Sequence, residues 1–429
     1  MSAIVTKVSS PLCGSVTVPG DKSIGHRAVI LGAIADGDTR VHAISAGADN
    51  SSTVRAFKRM GVRVRGENGS LIIEGRGWTG LSSPDGIVDC GNSGTTMRLL
   101  AGLLAGRPFT ATLDGDASLR TRPMARVIEP LQKMGAEIES QTGAGLAPLA
   151  IHGQTLYGID YSSPVASAQV KSSVLLAALQ AQGVTHFIEP YQSRNHTEIM
   201  AQGFGASIKS DGKRITVTGE QTLRATEVTV PGDISSAAFF MVAAATLPGS
   251  DLLIRGVGCN PTRSGIVDVL RSMGADIELQ ASREEAGEPV ANIRVRGGEL
   301  TGIEVGPDLV SRTIDEYPVL FVAAALAKGQ TLFRDVGELR FKESDRIATM
   351  TEGLLKLGVK LEVRGDDVEV EGDTELEGAS IESHGDHRVA MAMAVAGLSA
   401  KGGVRLSDEA CVSVSFPGFF DELQRIRES

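Results

Sequence analysis

This chain of 429 residues is short of aromatics, of cysteine and of long apolar runs, and each shortage closes off a class of function. Phe, Trp and Tyr make up 4% of it, with Trp78 the single tryptophan, which excludes a stacking platform for nucleic-acid bases. The formal charge of −10 excludes a broad nucleic-acid footprint too, so any anion must be met by a local basic pocket inside an acidic surface. Cys13, Cys90, Cys259 and Cys411 form no C-x-x-C pair and read as free thiols in a reducing cytosol, rather than a disulfide frame or a zinc site. Runs such as Ala237–Ala245 and Val319–Ala327 reach only about half of the ~20 residues that a membrane span requires. Met1 to Ser15 lacks the basic start and apolar core of a signal peptide, so the expected location is the cytoplasm. There is no G-x-x-x-x-G-K-[ST], no complete G-x-G-x-x-G and no paired histidine spacing for a metal, and a kinase or dehydrogenase reading has no anchor.

What is present is repetition. Val18-Pro19-Gly20-Asp21-Lys22-Ser23 returns as Val230-Pro231-Gly232-Asp233-Ile234-Ser235, 212 residues later. Both copies lead into an apolar helical stretch, but only the first adds the cations Lys22 and Arg27, with His26 between them. A second pattern, an amphipathic stretch, then Gly and a small residue, then an alternating strand, occurs at Gly61, Gly135, Gly205, Gly274 and Gly358. A third, a small-residue-rich apolar helix ending at Gly and followed by a strand, ends at Gly37, Gly106, Gly183, Gly249, Gly329 and Gly402, spaced by 66 to 80 residues. Helices apolar on every side are buried all round.

These periods predict an α/β protein of six βαβαββ units, three in each of two domains. Five complete copies of the second pattern serve six units, so the segment near Ile4–Val18 and the carboxyl-terminal helix near Phe419–Arg427 are expected to complete one unit together. The chain then leaves one domain at Gly20 and returns at Gly232, which makes the twin Pro-Gly phrases crossover hinge strands. The expected domains are residues 21–232 and residues 1–20 with 233–429. The competing reading is a single α/β domain with weak periodicity.

The amino-terminal ends of the six buried helices are polar. They read Lys22-Ser23-Ile24-Gly25-His26-Arg27, Asn92-Ser93-Gly94-Thr95, Ser167-Ala168-Gln169-Val170-Lys171, Asp233-Ile234-Ser235-Ser236, Asp315-Glu316-Tyr317 and Asp386-His387-Arg388. Ser, Asn and Asp there can be plain helix caps. Lys22, Arg27, Lys171 and Arg388 do not fit that account, because a cation beside the positive end of a helix dipole is unfavourable unless an anion lies between them. Arg120, Arg122, Arg194 and the run Leu339-Arg340-Phe341-Lys342-Glu343-Ser344-Asp345-Arg346 add charge on expected loops. By itself that run reads as a solvated salt-bridge ladder. Together these cations predict a cleft for small anions, without a nucleotide.

Taken in order, Gly20-Asp21-Lys22-Ser23-Ile24-Gly25-His26-Arg27, Gly91-Asn92-Ser93-Gly94-Thr95, Arg122-Pro123, Ser167-Ala168-Gln169, Lys342-Glu343-Ser344-Asp345-Arg346 and Asp386-His387-Arg388 closely resemble the 5-enolpyruvylshikimate-3-phosphate synthase family from about residue 7 to 421. The resemblance implies transfer of the enolpyruvyl group of phosphoenolpyruvate to the 5-hydroxyl of shikimate 3-phosphate, with no metal and no organic cofactor. It implies two inside-out α/β domains of three units each, and the hinge strands predict that these close when shikimate 3-phosphate binds. It also implies a monomer whose partners are these small molecules, with neither nucleic acid nor membrane.

By matching positions, the resemblance makes Lys22, Asp315 and Glu343 catalytic: Asp315 as base on the 5-hydroxyl, Glu343 as proton donor to carbon, Lys22 at the reacting oxygen. Lys22, Asn92, Gly94, Arg122, Gln169, Arg346, His387 and Arg388 are the implied phosphoenolpyruvate residues. Lys22, Ser23, Arg27, Ser167, Ala168, Gln169, Arg194, Asp315 and Lys342 are the implied shikimate 3-phosphate residues.

The chain departs from the enterobacterial and plant pattern at three places. Ala168 stands where a second Ser commonly binds the substrate phosphate, with Lys171 or Arg194 expected to compensate. Leu99 replaces a Pro, and Val414 stands where many members carry a Lys. With Gly115-Asp116-Ala117-Ser118-Leu119 these features resemble the second, bacterial branch of the family. Two alternatives stand beside this reading. A sister enolpyruvyl transferase acting on UDP-N-acetylglucosamine has Lys-Asn in place of Lys22-Ser23 and a loop Cys as its acid, a context that Cys90 does not match. A non-catalytic metabolite-binding protein on the same repeats is the other.

Overall fold

The computed structural model describes residues 3–8 and 10–428. Met1, Ser2, Ser9 and Ser429, which fall in the second expected domain, lie outside the described residues. The chain divides into two compact units, one of Gly20–Val230 with Glu284–Glu288, the other of Met1–Pro19, Pro231–Arg283 and Pro289–Ser429.

Each unit is an α/β body of three small sheets, and each sheet repeats one plan: a strand pairs in parallel with the next strand along the chain, and that strand then pairs antiparallel. In the first unit Val88–Asp89 runs parallel to Thr110–Asp114, which pairs antiparallel with Leu149–His152 and through it with Glu137–Ser140. Asp160–Ser162, Val184–Ile188, Arg214–Thr218 and Ile208–Ser210 repeat the arrangement. In the remaining sheet of this unit the parallel partner of Ala35–His42 is supplied by Leu223–Arg224 and Glu227–Thr229, the last strands before the second Pro-Gly phrase.

The second unit does the same with Glu304–Val305, Gln330–Phe333, Asp367–Glu371 and Leu361–Arg364. Its other sheets correct one expectation. Ile4–Val5 does complete the final unit, antiparallel to Val404–Leu406, but Cys13–Thr17 runs parallel to Asp251–Gly258 in a different sheet. The amino-terminal segment therefore serves two sheets. Its two strands thus pair with different partners, which the unit count did not anticipate.

The helix Lys22–Ile34 and its counterparts Gly94–Leu104, Ala168–Ala178, Ile234–Ala245, Tyr317–Leu326 and His387–Gly397 form the cores. All twelve residues of Ile234–Ala245 are buried, as expected of a helix apolar on every side. Each Val, Leu or Phe so buried contributes about 1.5–3 kcal/mol. Small residues let these helices approach closely: a Cβ on Gly102 would lie 2.0 Å from the Ser173 carbonyl oxygen.

The glycine of the amphipathic repeat is left-handed in all five copies, with φ between +85° and +96° at Gly61, Gly135, Gly205, Gly274 and Gly358. Among the glycines that end the buried helices Gly106 differs. It is not left-handed, and it is small because the Gln180 amide packs against it. No helix among the described residues is long and apolar enough to cross a membrane.

Candidate active site

The helix-cap reading holds at most of the polar ends. Asp21 accepts from the Ile24 amide at 2.9 Å, Ser93 from Thr96 at 3.1 Å, Ser167 from Val170 at 3.4 Å and Asp386 from Arg388 at 2.9 Å. Capping fixes where each helix starts, and so aims the charged side chains beside the caps.

In the first unit Lys22 is the first helical residue, and its Nζ lies 2.8 Å from Asp49 Oδ2. One turn on, His26 Nδ1 lies 2.6 Å from Thr53 Oγ1, at the head of a hydroxyl chain through Thr96 to Ser93. Burial, aided by Lys22 and Arg27 against the pull of Asp49, holds the His26 imidazole down to about 3, so it is neutral. Arg27 is buried and donates to Thr197 Oγ1 at 2.6 Å, Ser172 Oγ at 2.6 Å and the Ser23 carbonyl at 2.9 Å. Burial lowers it to about 10, with Glu198 and Asp21 opposing and Arg194 reinforcing, so its charge persists at neutral pH.

A second group gathers at the Gly94 helix start. Arg122 donates to Asn92 Oδ1 at 2.6 Å and Ser118 Oγ at 3.1 Å, and Asn92 donates to Asp116 at 2.8 Å. Gln169, from the next buried helix, donates to Thr95 Oγ1 at 2.9 Å and accepts from Arg98. Arg98 also reaches the Pro123 carbonyl at 3.2 Å, so one guanidinium ties together the neighbourhoods of Gly94, Arg122 and Gln169. Sequence reasoning missed Arg98 and Asp49. The available signal for Arg98 was a lone cation inside an otherwise apolar buried helix.

Lys171 belongs elsewhere. Its fully buried ammonium lies 2.9 Å from Glu189 and 2.9 Å from Glu198, and it donates to the Ser193 carbonyl at 3.1 Å. The anion that its position demanded is supplied by the protein, so Lys171 does not compensate for Ala168. Ala168 opens the helix capped by Ser167, and Arg194 stays near enough to Arg27 to depress its affinity for a proton.

The second unit is built around Arg346, a fully buried guanidinium at the start of the helix Arg346–Lys356. It meets Asp386 at 2.8 Å, Glu343 at 2.6 Å and Asp315 at 3.4 Å. Burial opposes its charge, but the carboxylates of Asp386, Glu343 and Asp315 outweigh burial and raise its affinity for a proton. Asp386 is likewise pushed up by burial and pulled below the usual carboxylate range by Arg346. Arg388 reaches the same aspartate, its Nη1 donating to the Asp315 carbonyl at 3.3 Å and its Nε lying 3.7 Å from Asp315 Oδ1.

His387 is buried beside Arg388. Lys342 is half-buried, 3.5 Å from Glu338, and desolvation draws its ammonium below the ordinary range against Glu338 and Asp315. Arg340 and Asp345 pair at 3.3 Å, so part of the charged run is the salt-bridge ladder it resembled, while Glu343 and Arg346 turn inward. Cys90 is buried, and desolvation pushes its thiol up, out of reach of an acid's role at neutral pH.

Each unit thus assembles its own set: Lys22, Ser23, Arg27, Asn92, Gly94, Arg122, Ser167, Ala168, Gln169 and Arg194 in one, and Asp315, Lys342, Glu343, Arg346, His387 and Arg388 in the other. Chemically the first offers cations and helix starts for anions, and the second offers three carboxylates on one arginine.

The profile of EPSP synthase (3-phosphoshikimate 1-carboxyvinyltransferase) matches residues 6–423. The chain is 52% identical over 426 residues to the 3-phosphoshikimate 1-carboxyvinyltransferase of Geotalea uraniireducens, covering 99% of each. It is 54% identical to that of Acidithiobacillus ferrooxidans over 98% of this chain and 96% of the other. A solved EPSP synthase from Acinetobacter baumannii superposes with a TM-score of 0.88 at 44% identity, over 99% of this chain and 98% of that one. The enolpyruvyl transferase NikO from Streptomyces tendae shares the fold, with a TM-score of 0.80 at 16% identity over 99% of this chain and 97% of that one.

Proposed function

The chain belongs to the EPSP synthase family, the 3-phosphoshikimate 1-carboxyvinyltransferases, and from that premise we propose how its residues carry the family's reaction. It is an enolpyruvyl transferase of the shikimate pathway of aromatic amino-acid biosynthesis. It moves the enolpyruvyl group of phosphoenolpyruvate to the 5-hydroxyl of shikimate 3-phosphate and releases phosphate.

The reaction adds, then eliminates. The methylene carbon takes a proton while the 5-hydroxyl, losing its own, attacks the adjacent carbon to give a tetrahedral intermediate. Elimination takes a proton from the new methyl group and expels phosphate, so one acid/base pair can serve both steps. In this reading Asp315 takes the hydroxyl proton and Glu343 gives the carbon its proton. The supporting observation is that both carboxylates are hydrogen-bonded to Arg346, at 3.4 and 2.6 Å. A shared guanidinium fixes the two carboxyl groups in orientation.

Lys22 stabilises charge at the reacting oxygen. Arg122, Arg346 and Arg388 hold phosphoenolpyruvate, helped by Asn92, Gly94, Gln169 and His387. Ser23, Arg27, Ser167, Ala168, Gln169, Arg194 and Lys342 surround shikimate 3-phosphate. Fixed cations aimed at substrate phosphates and carboxylates offset the repulsion between two multiply charged anions. The enzyme works as a cytoplasmic monomer, without a metal or an organic cofactor.

Phosphate release from phosphoenolpyruvate, measured with shikimate 3-phosphate and separately with UDP-N-acetylglucosamine, tests the assignment. Turnover with the first alone is expected. Turnover only with the nucleotide sugar, or tight binding with no phosphate released, overturns it.

A further inference from the structure

The second Pro-Gly phrase lacks the cations of the first and reads from sequence as a hinge. Its polar side chains nevertheless sit in a buried charged network. Arg263, 2% exposed, lies 2.7 Å from Glu316 Oε1 and 3.3 Å from Asp233 Oδ1. It also donates to Ser235 Oγ, and Ser235 donates to Glu316. Asp233 caps the helix Ile234–Ala245 through the Ser235 amide at 2.8 Å, so the network is rooted in the fully buried helix of the core.

Glu316, 1% exposed, is the residue after Asp315. Its amide donates to the Thr313 carbonyl at 2.8 Å and its carbonyl accepts from the Val319 and Leu320 amides at 3.1 and 3.0 Å, so it joins a closed turn to the helix Tyr317–Leu326. No side chain caps that helix. On its other side the Asp315 carbonyl accepts from Arg388 at 3.3 Å. The residues on either side of the peptide between them are thus each held by an arginine, Asp315 through its carbonyl by Arg388 and Glu316 through its carboxylate by Arg263.

We infer that Glu316 and Arg263 are positioning residues for Asp315, holding its backbone so that its carboxylate meets the 5-hydroxyl. This deepens the functional reading and rests on Asp315 being the base. An error of about 1 Å at a reacting group costs up to about 100-fold in rate. A network that merely stabilised the fold would behave differently: removing both charges of a buried pair together commonly restores stability, whereas removing one does not.

The double variant R263M/E316Q, made in a D233N background so that no buried carboxylate loses its arginine and the helix keeps a cap, separates the two cases, with D315N as the reference and steady-state kinetics in both substrates. The inference expects a chemical-denaturation midpoint near that of the parent, a kcat about tenfold or more lower, and KM for each substrate within about threefold. Recovery of kcat along with stability overturns it. If the double variant does not fold, S235A decides, since it removes one hydroxyl and keeps both charges: a kcat about threefold or more lower at unchanged KM supports positioning, and an unchanged kcat overturns it. D315N with near-parent kcat would instead remove the base assignment, and this inference with it.

Discussion

The two units dress their helix starts differently although they grow from one repeat. In Gly20–Val230 three arginines of the expected site donate to hydroxyls and side-chain amides: Arg27 to Ser172 and Thr197, Arg98 to Gln169, Arg122 to Asn92 and Ser118. In the other unit Arg346 is oriented by Asp315, Glu343 and Asp386, and Arg263 by Asp233 and Glu316. Neutral partners orient a guanidinium without cancelling its charge, which leaves a field for substrate anions. Carboxylates offset part of that charge, and the arginine also holds the acids in place. In the proposed assignment the first unit supplies most of the anion-holding groups and the second supplies the two carboxyl groups that move protons.

The sharpest way to break this comparison uses two lysines of the first unit. Lys171 is fully buried between Glu189 and Glu198, whereas Lys22 keeps 18% of its side chain exposed beside Asp49. Replacing Lys171 with Met leaves two buried carboxylates without their cation and is expected to cost about 3–5 kcal/mol of stability in urea unfolding. Replacing Lys22 with Met is expected to leave the unfolding midpoint nearly unchanged and to lower kcat by about 100-fold or more. If the two swapped their effects, the division between structural and functional cations would be wrong. Glu343→Gln tests the proton-moving half: a kcat about 100-fold lower is expected, and full activity would sink the donor role.

Much of this was legible in the chain. The repeats carried the six units, because helix ends that need a left-handed residue write a glycine at a fixed place. The polar starts of the buried helices were legible for the same reason, since caps must sit there. Partners remote in sequence were not. Nothing near Lys171 announces that Glu189 and Glu198 fold back onto it, so it was taken for a substrate cation. Arg263 and Glu316 are 53 residues apart, each in a turn just before a helix, and meet only in the folded chain. Cys13–Thr17 could have joined any parallel edge, and only the tertiary arrangement chooses Asp251–Gly258.

Gly94 sharpens the comparison at the level of a single methyl. A Cβ there would lie 2.9 Å from Arg98 Nη1 and 3.6 Å from Arg122 Nη1. Arg98 is held by Gln169 and Pro123, so it gives way only by disturbing a second binding residue. Gly94→Ala is expected to raise KM for phosphoenolpyruvate about tenfold with a smaller change in kcat and none in folding. An unchanged KM would mean that Arg98 moves aside without consequence.

The smallest expected effect concerns His26, buried neutral among the cations of the binding unit. Its affinity for a proton falls from the usual 6.5 to about 3 on folding, through burial first and the Lys22 and Arg27 charges with it. The unfolded chain therefore binds more protons between those values. The stability this site contributes is fully present above pH 6.5 and is lost as pH falls toward 3, at up to about 1.4 kcal/mol per pH unit. His26→Asn keeps a polar group beside Thr53 and removes the titration. Urea unfolding of both proteins from pH 7 to pH 4 should show a shallower loss in the variant, with the curves converging as pH falls. Parallel curves would mean that His26 titrates as it does in water, and that the cations of this unit impose no field on the histidine nearest to them.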